Sequence, residues 1–219
     1  MCYIVFAMVR KDIKEFIKTI PENVVIVAAS KYVDACDVKT LVDAGIKDIG
    51  ENRVESFLHK YEALKDYDIR WHYIGHLQRN KAEKVVDKID FLESLDSLKL
   101  AELINTRRLR PLKCFIEVSI NLEENKNGVP YFEVESFIKE ALKYPKIELV
   151  GLMMMAKANS SPNSLCEQFR KLRELRDELE SKLKINLPYL SMGMSDDYVY
   201  AIKEGATHIR LGRILFDLM

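Results

Sequence analysis

The chain has 219 residues, a length that favours one large domain, and its 34 basic residues balance 34 acidic ones for a formal charge of zero. With no global field to draw in a polyanion or an anionic lipid surface, roles that rest on whole-surface attraction to nucleic acid or membrane are excluded. A hydrophobic share of 48% beside 31% charged residues is a globular mixture, and a chain of this size buries about 70% of its unfolded surface without disulfides or a metal.

The start, MCYIVFAMVRKD, is apolar for too few residues to span a membrane and lacks a signal-peptide cleavage pattern, so a cytoplasmic protein is expected. An extra helix is predicted over about 11–19. VVIVAAS (24–30) then reads as the first strand by its β-branched content, and Val38, Leu41 and Val42 mark a helix face that stops at Gly45. IKDIG (46–50) is the second strand, and NRVESFLHKYEAL (52–64) has helical spacing. RWHYIG (70–75) precedes a predicted helix over 81–89, and FLESL (91–95) precedes one over 98–109. KCFIEVSI (113–120) leads to a helix over 132–142, and IELVGLMMMA (147–156) to a long charged helix over 163–183. PYLSMG (188–193) leads to a helix starting near Asp196, and THIRLG (207–212) runs to the end.

Eight strands, each followed by a helix or the terminus through short connections, imply parallel pairing. We expect an α/β protein of one domain over 1–219, a (β/α)8 TIM-like barrel with an extra N-terminal helix; an open doubly wound sheet is the competing arrangement. The four cysteines, Cys2, Cys36, Cys114 and Cys166, form no CxxC pair, so neither a zinc site nor a disulfide framework is expected.

Active groups of such barrels sit at the C-terminal ends of the strands. Lys31 ends the column Val25, Val27, Ala29, which points towards the barrel mouth. Apolar walls would lower its pKa and make it a nucleophile for aldehydes; the alternative is a solvated lysine at a strand end. Ser191-Met192-Gly193-Met194-Ser195 stands where the seventh strand gives way to a helix. Ser195 is placed as its N-cap, with Asp196 and Asp197 in the first turn. A phosphate site and a plain capped helix both fit that turn. On the last strand His208, Arg210 and Gly212 share a face, and an interior arginine must find a partner, a ligand or a carboxylate. Together with Gly212 and Arg213, these residues look like a site for a phosphorylated aldehyde.

At these residues the chain resembles the pyridoxal phosphate homeostasis protein family, single-domain relatives of the alanine racemase barrel. The resemblance runs through VAASKYV around Lys31, GENRVES (50–56), WHYIGHLQRNK (71–81), ENKNG (124–128), GLMMMA (151–156) and SMGMSDDYVYAIKEGATHIRLGRILF (191–216). It implies a fold type III barrel with pyridoxal 5′-phosphate (PLP) as an internal aldimine on Lys31. Ser195, Gly212 and Arg213 would hold the phosphate, Arg210 would face the pyridine nitrogen, and Asn52 would lie near the ring hydroxyl. His76 is a candidate for the mouth. Lys126 is a candidate second amine for passing PLP on. The chain departs from the family pattern at Asn125 and Asn127, at Met154 in place of a threonine, and at Asp217 in place of a glycine. Met153 to Met155 read as barrel packing.

The related racemases add a tyrosine from a second domain of a partner subunit. Eight strand-helix units of about 25 residues use roughly 200 residues, leaving almost nothing for such a domain. The expectation is a monomeric PLP carrier with no catalytic residues, acting in cofactor buffering or delivery to PLP-dependent apoenzymes. A small amino-acid racemase and a PLP-free barrel acting on a phosphorylated metabolite are the alternatives.

Overall fold

Short β-branched runs separated by amphipathic helices close the chain on itself. The computed structural model describes residues 7–120 and 127–218, so Lys126 lies outside the described residues. β1 (Ala7–Val9) and α1 (Ile13–Lys18) precede the barrel proper. There follow β2 (Val25–Ala29), α2 (Ala35–Asp43), β3 (Asp48–Glu51), α3 (Val54–Ala63), β4 (Arg70–Tyr73), α4 (Arg79–Ala82), β5 (Phe91–Leu95) and α5 (Leu98–Arg107). β6 (Leu112–Ser119), the short β7 (Val129–Pro130), α6 (Val134–Ala141), β8 (Ile147–Met153) and α7 (Pro162–Leu183) come next. β9 (Tyr189–Met194), α8 (Tyr198–Lys203), β10 (His208–Leu211) and β11 (Phe216–Leu218) complete the series.

The strands run β5-β4-β3-β2-β10-β9-β8-β6, and β6 pairs back to β5, so the sheet closes. All of these pairings are parallel. This is the (β/α)8 barrel rather than the open sheet. Two additions escaped the sequence pattern. β1 pairs antiparallel with β11, tying the two ends together across the last turn, and β7 adds to the edge of β6.

The helices are laid down by their apolar faces and caps. Asp34 accepts hydrogen bonds from the N–H groups of Cys36 and Asp37 at the start of α2, whose Val38 and Leu41 are buried. The region 81–89 differs from its predicted helix. Only Arg79–Ala82 is helical, and Lys84, Val85 and Lys88 then donate to carbonyls three residues back. That tighter winding turns Val85, Val86 and Ile89 all inward.

Side chains that point outward from the strands meet the helices in one apolar layer; those that point inward fill the barrel with Phe91, Phe115, Val150 and Met153, with Tyr189 against them. Met154 belongs to the outer layer, whereas Met155 lies beyond the end of β8 and is half-exposed, so it does not pack in the barrel. At Gly151 a Cβ would stand 2.0 Å from the Tyr189 carbonyl oxygen, so β8 and β9 pair only because that position has no side chain. Gly151→Ala should therefore destabilise the fold by about 2 kcal/mol or more, read from urea unfolding; unchanged stability would show that β8 can move away at no cost.

Candidate functional site

β9, β10 and β2 are neighbours, so their C-terminal ends bring Ser195, Gly212, Arg213 and Lys31 to one part of the mouth. There they line a cavity of about 290 Å³ with Tyr32, Arg210, Ala29 and Phe216. That volume is at the lower end for small-molecule pockets. Lys31 follows β2 in a turn in which the Val33 N–H donates to the Ser30 carbonyl. Of the two readings, a solvated lysine at a strand end is the one the structure has. Because strand alternation ends at Ala29, Lys31 is exposed at the cavity lip, with Nζ 4.7 Å from the centre of the Tyr32 ring.

What is rigid is the backbone behind it. Lys60, on α3, is buried and places Nζ 2.6 Å from Glu51 Oε2 and 2.5 Å from the Ser30 carbonyl oxygen. Glu51 Oε1 accepts the N–H of Asn52 at 2.8 Å, at the entry to α3. One buried ion pair thus ties the residue before Lys31 to the residue before Asn52. Neither member carries any signal of its own in the sequence reading except that Glu51 stands within GENRVES.

On the other side, the Ser195 hydroxyl oxygen accepts the N–H groups of Gly212 at 3.2 Å and Ile214 at 3.4 Å. A Cβ on Gly212 would meet only Ala29, at 3.7 Å, so protein packing does not demand a glycine there. The bare backbone faces the cavity and leaves room for a ligand against it. Ser195 is not the helix cap that its position suggested. Asp197 precedes α8 and accepts the Met194 N–H at 2.5 Å, because the chain makes one more turn before the helix begins. Asp196 pairs with Arg213 on the exposed rim.

Arg210 forms the inner part of the cavity and is 5% exposed. Nη1 donates to Ser191 Oγ at 2.7 Å and Nη2 to the Met154 carbonyl oxygen at 2.9 Å. Its Nε–H makes no hydrogen bond among the described residues. Behind it, Ser191 Oγ lies 2.7 Å from Glu93 Oε2, and Glu93 Oε1 lies 2.7 Å from His72 Nδ1. His72 Nε2 is 3.0 Å from Asp48 Oδ1, and Asp48 pairs with Arg70 at the opposite end of the barrel. Burial disfavours the carboxylates, yet His72 and Arg70 outweigh it for Asp48, and His72, Arg210 and the Ser191 hydroxyl do so for Glu93. Both are held down at about 2. The same two carboxylates raise the pKa of His72 against its own burial. His208, 6.1 Å from His72 ring to ring, has no carboxylate in contact among the described residues, and burial drives it down to about 4.

Asn52 and His76 stand further round the mouth, on the ends of β3 and β4. They line a neighbouring polar cleft with Arg53, Tyr73, Gly75 and Lys81 rather than the Lys31 cavity. Asn52 Oδ1 is buried and unpartnered. His76 is held by Asp96 at 3.1 Å.

The N-terminal domain model of alanine racemase matches residues 8–219. A pyridoxal phosphate homeostasis protein of Aquifex aeolicus is 42% identical over 194 residues, 87% of this chain and 85% of that protein. The chain belongs to the pyridoxal phosphate homeostasis protein family. Another member of the family, from Synechocystis, is 37% identical and covered over 94% of its length. The structure of PipY from Synechococcus elongatus with PLP bound superposes with a TM-score of 0.86 at 31% identity, covering 94% of this chain and all of that one. Alanine racemase of Clostridium difficile 630 matches at a TM-score of 0.79 and 15% identity over 58% of its chain, a likeness of fold alone.

The motifs that carried the family resemblance contain more than the residues singled out from them. WHYIGHLQRNK holds His72 as well as His76, and the block from Ser191 to Phe216 holds Ser191 as well as Ser195 and Arg210. The signal that could have found His72 and Glu93 is a charged or titratable residue in mid-strand, in RWHYIG and FLESL, where a barrel interior would bury it.

Two measurements probe this framework. Lys60→Met leaves Glu51 buried without its counter-ion and should cost about 3–5 kcal/mol in denaturant unfolding; adding Glu51→Gln should recover part of the loss. Glu117, on β6 near the mouth, is buried, and desolvation together with the Asp96 charge raises its pKa from 4.5 to about 7. The folded state holds its proton more tightly than the unfolded state. Its contribution is therefore greatest below pH 4.5 and declines as pH rises to about 7. Glu117→Gln, uncharged throughout, should gain about 3 kcal/mol on the wild type between those limits, read from melting curves across pH; parallel curves would contradict the assignment.

Proposed function

We propose that the protein binds pyridoxal 5′-phosphate through Lys31 and serves cofactor homeostasis by buffering PLP or delivering it to PLP-dependent apoenzymes. The observation that carries this reading is the convergence of a lysine amine, a hydroxyl with two adjoining backbone N–H groups, and two arginines on one small cavity. The residues fit the cofactor: the bare Gly212 backbone gives a phosphate close approach, and Arg210 keeps an N–H unspent inside the cavity. When bound, PLP supplies an aldehyde that can bond a primary amine. Lys31 presents that amine from the lip, where its exposure allows it to be loaded and unloaded. Ser195, Gly212 and Arg213 bind the phosphate, Arg213 exchanging its exposed partner Asp196 for the ligand. Arg210 brings a permanent positive charge to the inner end of the site, which disfavours a proton on the ring nitrogen and so weakens the ring as an electron sink.

Carriage rather than turnover fits the groups around the cavity. Racemisation needs an acid/base group on each face of the substrate carbon. Among the described residues, the phenol and carboxylate lining the cavity besides Lys31 are those of Tyr32, which lies against Lys31 itself, and Asp196, which Arg213 engages. The reading is of a monomer working in the cytoplasm.

Incubation with PLP, dialysis and an absorption spectrum test the reading. A retained visible band that Lys31→Ala abolishes is expected, with no exchange of the α-proton of L-amino acids by the loaded protein. A protein that stays colourless overturns PLP carriage, and rapid exchange overturns the non-catalytic role.

A further inference from the structure

Arg210 is not held by the cavity it lines. Its two Nη groups are both committed, to the Ser191 hydroxyl at 2.7 Å and the Met154 carbonyl at 2.9 Å. Its nearest counter-charge, Glu93 Oε2, is 3.9 Å away, fully buried and separated from it by Ser191. Glu93 is in turn fixed at its other oxygen by His72, whose ring stacks on Phe91 at 4.4 Å and 12°. His72 is fixed by Asp48, and Asp48 by Arg70 at the far end of the barrel. Between Arg210 and Asp48 every member of this chain is buried.

Two consequences follow from elementary electrostatics. In a poorly polarisable interior, the position of a guanidinium is set by its bonded partners, and moving it forfeits charge-assisted hydrogen bonds. The charge it presents to a ligand is set by how closely a carboxylate compensates it. A carboxylate held one hydroxyl away compensates less than one in direct contact. Ser191 therefore acts as a spacer: it keeps Glu93 near enough to stabilise Arg210 and far enough to leave its charge available on the cavity side.

We infer that Ser191 and Glu93, backed by His72, are positioning residues that set where the Arg210 guanidinium stands and how strongly its charge is felt by a cofactor ring in the cavity. The inference rests on the PLP reading above. It predicts that changes on the far side of Arg210, out of reach of the ligand, alter the electronic state of the bound cofactor.

The full-length chain is loaded with PLP, and the visible band maximum, the rate of PLP loss on dialysis and the melting temperature of the unloaded protein are measured. Ser191→Ala removes the bridging hydroxyl without burying a charge. It should shift the band maximum and release PLP roughly tenfold faster, while Ser191→Thr, which keeps the hydroxyl, should restore the wild-type band. Glu93→Gln should shift the band also, through loss of the counter-charge; if that variant does not fold, Ser191→Ala decides alone. A Ser191→Ala protein that binds PLP with the wild-type band and release rate overturns the inference even if its melting temperature falls, because the chain would then serve stability only. A wild-type chain that forms no band overturns the PLP reading, and the inference with it.

Discussion

A charged group inside a closed barrel has nowhere to find water, and that constraint organises much of this molecule. Arg210 cannot shed its proton, so its presence on the inner face of β10 requires a carboxylate within the same interior. Glu93 supplies it, and Glu93 in turn favours the charged form of His72. His72 then requires Asp48, and only at Arg70 does the chain of compensation reach solvent. Each member is costly alone and tolerable only beside the next. His208 shows the converse. Without a carboxylate in contact it is driven neutral and packs as an aromatic ring among Phe115 and Tyr189.

Two ion pairs at the mouth illustrate how burial divides labour. Lys60 and Glu51 are sealed behind the strand ends and hold the backbone on which Lys31 and Asn52 stand. Arg213 and Asp196 face solvent, where an ion pair is worth roughly 0–1 kcal/mol. The first pair fixes a frame; the second can open for an anion at small cost. A rigid frame with a lysine amine on its outer lip suits the proposed role, in which a cofactor is both held and surrendered.

The barrel by itself says little about activity. Alanine racemases share it at 15% identity, and folds of this kind host many chemistries. What separates a carrier from a racemase is the set of groups facing the ligand, and among the described residues the Lys31 cavity presents Tyr32 and Asp196 beside Lys31, each already engaged by a neighbour.

The amino-acid sequence by itself determined the architecture and pointed to five of the residues that line the Lys31 cavity. Strand-helix alternation is a local property, read from period and β-branching, and all eight barrel strands stand where that pattern puts them; α4 departs because tight winding, not periodicity, buries Val85 and Val86. Lys31, Ser195, Gly212 and Arg213 were legible because strand ends of a closed barrel converge by topology. Tertiary structure alone decided how they are held. Lys60 meets Ser30 across 30 residues and Glu93 meets Ser191 across 98, and no spacing rule pairs residues that share only the inside of a barrel. It also decided that Lys31 is exposed and that Asn52 and His76 open onto a neighbouring cleft. Strand alternation states which face a residue takes while the strand lasts, and these residues lie just beyond the ends.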